Sequence, residues 1–164
     1  MNVVALFSGD TYNKICGALG AHWYAVVATL GLAALAVLHI VYAFWLTMQN
    51  RAARGSERYA VVAKPAGVEW ASQNMLVLGI IVLVGLLLHF WNFWYNMMFA
   101  ELVGFKGVCE PTTGYGWIQH TFSNPVFVVL YIAWLVALWF HPTHGFWTPI
   151  QPFGWNGKVW FNRW

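Results

Sequence analysis

Three long runs of apolar residues, separated by more polar segments, set the pattern of hydrophobic and polar positions along this chain. A helix that crosses the hydrocarbon core of a membrane needs about 20 consecutive apolar residues. The runs meet that length and predict transmembrane helices over about 23–48, 69–98 and 125–141. We therefore predict an all-α membrane protein, a transmembrane helix bundle that occupies residues 1–164 as a single domain.

Prolines bound the third of these spans. Pro125 lies at its start, and proline suits the first turn of a helix. Pro142 is expected to kink or end the helix unless a neighbour satisfies the carbonyl that loses its partner. Pro149 and Pro152 predict that the helix stops by about Gln151.

Composition agrees with a membrane protein and excludes other classes. Hydrophobic residues make up 60% of the chain and charged residues 8%, whereas charged residues are about a quarter of a soluble domain. The aromatic belts at membrane interfaces explain part of the excess of tryptophan, which occurs 12 times. The net charge of +3 is too small, and the basic residues are too scattered, to indicate a nucleic-acid partner.

Basic residues are distributed unequally between the two ends of the spans. Cytoplasmic segments of membrane proteins carry the excess of lysine and arginine. Six basic residues lie after the first or third span and two lie elsewhere: Arg51, Arg54, Arg58, Lys64, Lys158 and Arg163 against Lys14 and Lys106. The sequence therefore predicts a cytoplasmic 49–69 loop and C-terminus, with the N-terminus and the 99–122 loop outside. Cys16 and Cys109 then face an oxidising compartment, where they either form a disulfide or remain two free thiols.

One histidine lies inside each apolar run: His39, His89 and His141. An ionisable residue at membrane depth is costly, and it normally lines a cavity, a proton path or a cofactor site. Neutral imidazole binds haem iron through one ring nitrogen, and two histidines from different helices can hold one haem. The repeated histidines therefore predict haem ligands. The alternative is that each histidine only hydrogen-bonds a neighbouring helix.

The distance of each histidine from the cytoplasmic charges predicts its depth. His39 precedes Arg51 by twelve residues, which is about 18 Å along a helix. His89 follows Glu69 by twenty residues, which is about 30 Å. His141 comes late in an inward-running helix, so it is expected at the depth of His39, with His89 alone in the outer half. One haem between His39 and His141 is therefore predicted.

Several other residues have competing explanations. His144, one turn after His141, could be a rival ligand, a partner of a haem propionate or a donor to the ligand itself. His22 and His120 lie at span ends, where histidine needs no special role. Small residues in apolar helices can admit a flat macrocycle, but they more often serve helix packing. Packing is the favoured role of three glycines: Gly31, Gly79 and Gly85.

Four segments carry a family resemblance: LHIVYAFWLTMQNRAARGSERYAV, KPAGVEWASQNMLVLGIIVL, HFWNFWYNMMFAEL and LWFHPTHGFW with a later GW. They closely resemble the dihaem cytochrome b membrane subunit of succinate dehydrogenase/fumarate reductase, in its Bacteroidetes-like form. The resemblance implies five transmembrane helices, two b haems and a menaquinone site in a bacterial cytoplasmic membrane. It also implies that the chain anchors a flavoprotein subunit and an iron–sulfur subunit. Electrons then pass between menaquinone and the iron–sulfur subunit, and the chain performs no succinate chemistry itself.

The resemblance also assigns the histidines. By position, His39, His89 and His141 match the haem ligands on the family's second, third and fourth helices. The family pairs the second-helix and fourth-helix ligands, and it uses the histidine before the two-residue gap, which favours His141 over His144. The family's first helix, which carries the partner of His89, would precede this sequence, and its fifth would follow it. We therefore expect a fragment with one complete haem site.

Two other functions remain open. The chain could be another membrane cytochrome b, such as the anchor of a different dehydrogenase or of a hydrogenase. It could also be a transporter fragment that uses intramembrane histidines as a proton relay. A low-spin haem spectrum separates the cytochromes from the transporter, and co-purification with a flavoprotein separates the two cytochromes.

Overall fold

The computed structural model describes residues 3–55, 70–150 and 153–154, without the side chains at 144 and 147–150. Within these residues every regular element is helical, and three helices are long and apolar enough to cross a membrane. The predicted all-α membrane fold is therefore confirmed.

The elements begin with a 3₁₀ turn and include one π-helix. In chain order they are Val3–Leu6 (3₁₀), α1 Gly9–Ala18, α2 Trp23–Arg54, α3 Trp70–Gln73, α4 Met75–His89, Phe90–Phe99 (π), α5 Ala100–Val103, α6 Gly114–Phe122 and α7 Pro125–Ile150.

The described residues form two compact units. One lies within 1–64 and 97–115 and contains α1, α2 and α5. The other lies within 65–96 and 116–164 and contains α3, α4 and α7. The single domain over residues 1–164 stays a prediction.

α2 is longer than the predicted first span, because it runs from Trp23 to Arg54 instead of ending near Met48. Its 32 residues correspond to about 48 Å, more than the ~30 Å of a hydrocarbon core. Arg51 and Arg54 favour the extension, because cations in the last turn interact well with the helix dipole. Gly55 then ends the helix with a φ of 69°, which glycine adopts without strain.

The start of α2 is held by a carboxylate from another part of the first unit. His22 occupies the N-cap position without a side-chain capping hydrogen bond. The Ala21 N–H donates to Oε2 of Glu101 at 3.1 Å, and the Tyr24 hydroxyl donates to the Ala18 carbonyl. Because negative charge near a helix N-terminus is favourable, Glu101 compensates for the missing cap.

Two segments outside the spans are more structured than predicted. The N-terminal segment contains α1, and Ser8 caps it by accepting the Thr11 N–H at 3.2 Å. The 99–122 segment, predicted as a loop, contains α5 and α6. Within the first unit, the Tyr115 N–H donates to Oδ1 of Asn13 at 2.9 Å, so the two segments are joined directly.

The second predicted span, 69–98, is less regular than its sequence indicated. A turn at Asn74 separates α3 from α4, and the membrane-length segment runs over Met75–Val103. The π-helix follows α4, and its turns are wider by one residue than those of an α-helix. Asn96 donates its Nδ2 to the Trp91 carbonyl, five residues earlier, at 2.8 Å. Apolar periodicity does not distinguish these two helix types over ten residues.

α7 begins where the third span was predicted to begin. Oδ1 of Asn124 accepts the Val126 N–H at 3.0 Å, and Pro125 is the first helical residue. Of the two expectations for Pro142, an end of the helix is wrong, because α7 continues to Ile150, beside the stop predicted by about Gln151, and a kink stays a prediction. A proline removes one backbone donor, and the other hydrogen bonds of a long helix persist.

α4 and α7 pack against each other in the second unit. Position 79 of α4 lies beside position 141 of α7, and position 82 lies beside position 134. The residue numbers of the contacting positions therefore increase along α4 and decrease along α7. The two helices are antiparallel. With α3 they enclose a small apolar core: Ala71, Leu78 and Ala137, with Met75 and Val82 packed against it.

Much of the predicted cytoplasmic charge lies outside the described residues. This holds for four basic residues: Arg58, Lys64, Lys158 and Arg163. The 49–69 loop is described only through residue 55. The orientation of the chain in a membrane therefore stays a prediction.

Cys16 and Cys109 are free thiols in the structure, so the disulfide hypothesis is not supported. Cys16 is half-buried against Gly114, and its Sγ accepts hydrogen bonds from the Tyr12 hydroxyl and the Gly114 N–H. Burial raises the pKa of the Cys16 thiol, and these two hydrogen bonds oppose the rise only in part.

We expect iodoacetamide to alkylate Cys16 and Cys109 without prior reduction. A raised pKa lowers the thiolate fraction at a given pH, so Cys16 should react more slowly than an ordinary thiol and reach its full rate at higher pH. Tyr12→Phe removes a hydrogen bond that lowers the Cys16 pKa, and it should slow the reaction further. Peptide mass spectrometry over a pH series measures both rates. Alkylation that required a reductant would contradict the free-thiol state.

Candidate functional site within the apolar helices

His141 lies on α7 with its imidazole half-buried against α4. The ring faces the backbone of Gly79, since a Cβ built there would lie 3.2 Å from Cε1 and 3.7 Å from Nδ1 of His141. The Nδ1 atom is buried. The imidazole is therefore seated in the space that glycine leaves on the facing helix.

His89 is the last residue of α4 and lies among aromatic rings. It stacks on Trp134, with ring centroids 5.5 Å apart and an interplanar angle of 27°. Phe93 and Tyr131 approach at 5.1 and 6.2 Å. The buried Nδ1 of His89 has no hydrogen-bond partner among the residues that the structure describes. A buried polar atom without a partner is costly, and a bond to a metal ion is one way to satisfy it.

The antiparallel packing sets the separation of these two histidines. His141 lies at the level of Gly79, which precedes His89 by ten residues on α4. Ten residues correspond to about 15 Å along a helix. His89 and His141 therefore lie at different levels along the helix pair, and their depth in a membrane stays a prediction. Because one iron bonds both of its axial nitrogens directly, His89 and His141 cannot hold the same haem.

The structure gives less information on His39 and His144 than on His89 and His141. His39 is exposed in the middle of α2, in the first unit, whereas His141 belongs to the second. The His39–His141 pair therefore stays a prediction. His144 lies within α7, and its side chain is outside the described part of the structure.

Sequence reasoning missed a buried polar pair beside His89. Asn92, in the π-helix, is 8% exposed, and its Nδ2 donates to the Tyr131 hydroxyl of α7 at 3.4 Å. Asn96 continues the polar row one turn later and donates to the Asn92 carbonyl at 3.4 Å. The signal was present, because polar residues inside an apolar run are rarely accidental.

We expect Tyr131→Phe to destabilise the protein only slightly. It removes the acceptor of one interhelical hydrogen bond, and such bonds contribute about 0.6 kcal/mol in membrane helices. Unfolding by a graded detergent titration measures the change. Tyr42→Phe, at an exposed site on α2, is the matched control and should be neutral. A loss of several kcal/mol in Tyr131→Phe alone would show that the hydroxyl supports a larger network.

The glycines serve packing at two of the three predicted positions. Gly79 accommodates His141, and a Cβ at Gly85 would overlap the indole of Trp134. Gly31, on α2, has no neighbour within 4 Å of a Cβ, among the described residues. The packing role of Gly79 and Gly85 is therefore confirmed.

The histidines at the span ends lie at exposed positions, where a histidine needs no functional role. His22 and His120 are both exposed, and each contacts one nearby aromatic ring, that of Tyr24 and Trp117 respectively. In the part of the chain that the structure covers, no three histidine, cysteine or acidic side chains converge to hold a metal ion. A haem iron takes only two such ligands.

Comparison with known proteins gives no match for this chain: it matches no protein-family model, no curated protein and no solved structure.

Proposed function

We propose that this chain is the haem b membrane-anchor subunit of a succinate:quinone oxidoreductase. In this role it transfers electrons between menaquinone and an iron–sulfur subunit, and a flavoprotein subunit carries out the succinate or fumarate chemistry. The observation that carries the proposal is one imidazole in the interior of each of three membrane-length helices: His39, His89 and His141. The sequence resemblance gives these imidazoles their specific role.

The donor chemistry fits a haem. Imidazole is a common axial ligand of haem iron, and the buried Nδ1 of His89 lacks a partner within the described residues. His39 and His141 would hold one haem, and His89 would offer a ligand to a second. A bound haem supplies one-electron transfer at membrane depth. Burial and hydrogen bonding around the ligands would then influence the reduction potential of the haem.

The geometry favours a cytochrome over a proton relay. Relays in membrane proteins use chains of Asp, Glu and His side chains. The three helices have no acidic side chain over 23–50, 75–99 and 125–150. About 15 Å of α4 separates the levels of His141 and His89. Two histidines this far apart, in helix stretches without acidic side chains, suit separate cofactor sites.

Haem content is the test of this proposal. The chain is expressed in membranes, purified in detergent and examined by pyridine haemochrome and by its reduced-minus-oxidised spectrum. We expect a low-spin b-type signal at no more than one haem per chain. A protein that carries no haem after haem supplementation, yet remains folded by circular dichroism, would favour the transporter. Co-purification with a flavoprotein from the native membrane separates the anchor from other cytochromes b.

A further inference from the structure

Two glycines on α4 each face a ring of α7. At Gly79 a Cβ would lie 3.2 Å from Cε1 of His141, closer than a normal carbon–carbon contact. At Gly85 a Cβ would overlap the Trp134 indole itself. The two rings occupy the volume that the side chains of other residues would fill.

Trp134 connects the second of these glycines to His89. Its indole N–H donates to the Val82 carbonyl at 3.0 Å, which fixes the edge of the ring against α4. Its face stacks on the imidazole of His89 at 5.5 Å and 27°. The absence of a side chain at Gly85 leaves space for the indole, and the Val82 carbonyl holds it by a hydrogen bond. The indole in turn packs against the imidazole and limits the rotation of His89.

We propose that Gly79 and Gly85 are positioning residues for the two histidines of the second unit. Gly79 sets the orientation of the His141 imidazole by leaving free the space that the ring occupies. Gly85 sets that of His89 through Trp134. The importance of this orientation for haem rests on the proposed function, because the plane of an axial imidazole influences the electronic structure of the iron that it binds.

The three intramembrane glycines provide matched variants. In Gly79→Ala the added methyl group requires the imidazole of His141 to move by a few tenths of an ångström. The larger side chain in Gly79→Val requires a larger movement of the ring. Gly85→Ala requires the indole to leave its place. Gly31→Ala and Gly31→Val put the same groups on the exposed α2 helix, where a Cβ meets nothing within 4 Å, and are the controls.

A haem-independent measurement tests the positioning itself. Diethyl pyrocarbonate modifies accessible imidazoles, and peptide mass spectrometry gives the rate for each histidine in haem-free protein in detergent. We expect a several-fold faster reaction of His141 in Gly79→Val and of His89 in Gly85→Ala. Gly31→Val should leave both rates at the wild-type value. Unchanged rates at His141 and His89 in the two variants would overturn the proposal. If Gly79→Val does not fold, the milder Gly79→Ala takes its place.

A spectroscopic measurement tests the link to haem. We expect Gly79→Ala to retain the low-spin haem but to shift its electron paramagnetic resonance g values, with Gly31→Ala identical to wild type. Identical spectra for Gly79→Ala and Gly31→Ala would overturn the role of Gly79 toward haem. If wild type binds no haem, the proposed function fails, and the modification rates still decide whether the glycines position the histidines.

Discussion

Under the proposed haem function, replacement of His39 or His141 by alanine is expected to abolish the low-spin haem signal. With one of the two imidazoles removed, the iron would keep a single protein ligand or the protein would lose the haem altogether. His39 is exposed on α2, and His141 is seated against Gly79. The measurement is pyridine haemochrome stoichiometry together with the reduced-minus-oxidised spectrum, and the expected loss is nearly complete.

His89→Ala is the matched control for this experiment. His89 lies about 15 Å further along α4 than the level of His141, so it cannot share that haem. Its replacement should leave the low-spin signal largely intact. His144, three residues after His141 in the sequence, is a possible substitute ligand, so a weak, altered spectrum in His141→Ala should disappear when both are replaced. Loss of the haem in His89→Ala, with none in His39→Ala, would overturn the pairing.

Gly85→Leu is expected to destabilise the second unit by about 3 kcal/mol, the upper part of the range for overpacked cores. A leucine side chain would occupy the place of the Trp134 indole, since even a Cβ overlaps it. The indole would lose its hydrogen bond to the Val82 carbonyl and its stacking on His89. Graded detergent unfolding of the purified protein measures the loss.

Gly31→Leu separates packing from helix propensity. Leucine is a better helix former than glycine by about 0.8 kcal/mol, and position 31 has open space on α2. This variant should therefore be neutral or slightly more stable than wild type. In a protein that already carries Trp134→Ala, Gly85→Leu should cause little of this destabilisation. The alanine leaves free the space that the leucine side chain and the indole would both occupy. A Gly85→Leu protein as stable as Gly31→Leu would show that the indole is not packed at Gly85.

The outline of the fold could be predicted because its causes are local. A run of apolar residues is confined to hydrocarbon by its own composition, so the three spans were recognisable without knowledge of their neighbours. The start of α7 was equally local, because Asn124 and Pro125 supply the cap and the first turn. The end of α2 was misplaced by six residues, because Arg51 and Arg54 continue the helix beyond its apolar part.

The candidate site could be predicted only in part. A histidine inside an apolar run is visible in the sequence, because the residues around it are uncharged. The aromatic surroundings of His89 and the partner of Asn92 were not visible, because Trp134 and Tyr131 come from a distant part of the chain. The π-helix that follows His89 was missed because its wider turns produce no recognisable sequence pattern in a run of aromatic residues.

The sequence by itself determined that this protein is helical, that it has three membrane-length spans and that each span contains a histidine. Only the tertiary structure decided that Gly79 receives His141 and that Gly85 receives Trp134. The physical reason lies in the apolar character of α4 and α7. A helix that is apolar on every side has no polar face to reveal which side it buries, so the choice is made by the shapes of the side chains that meet.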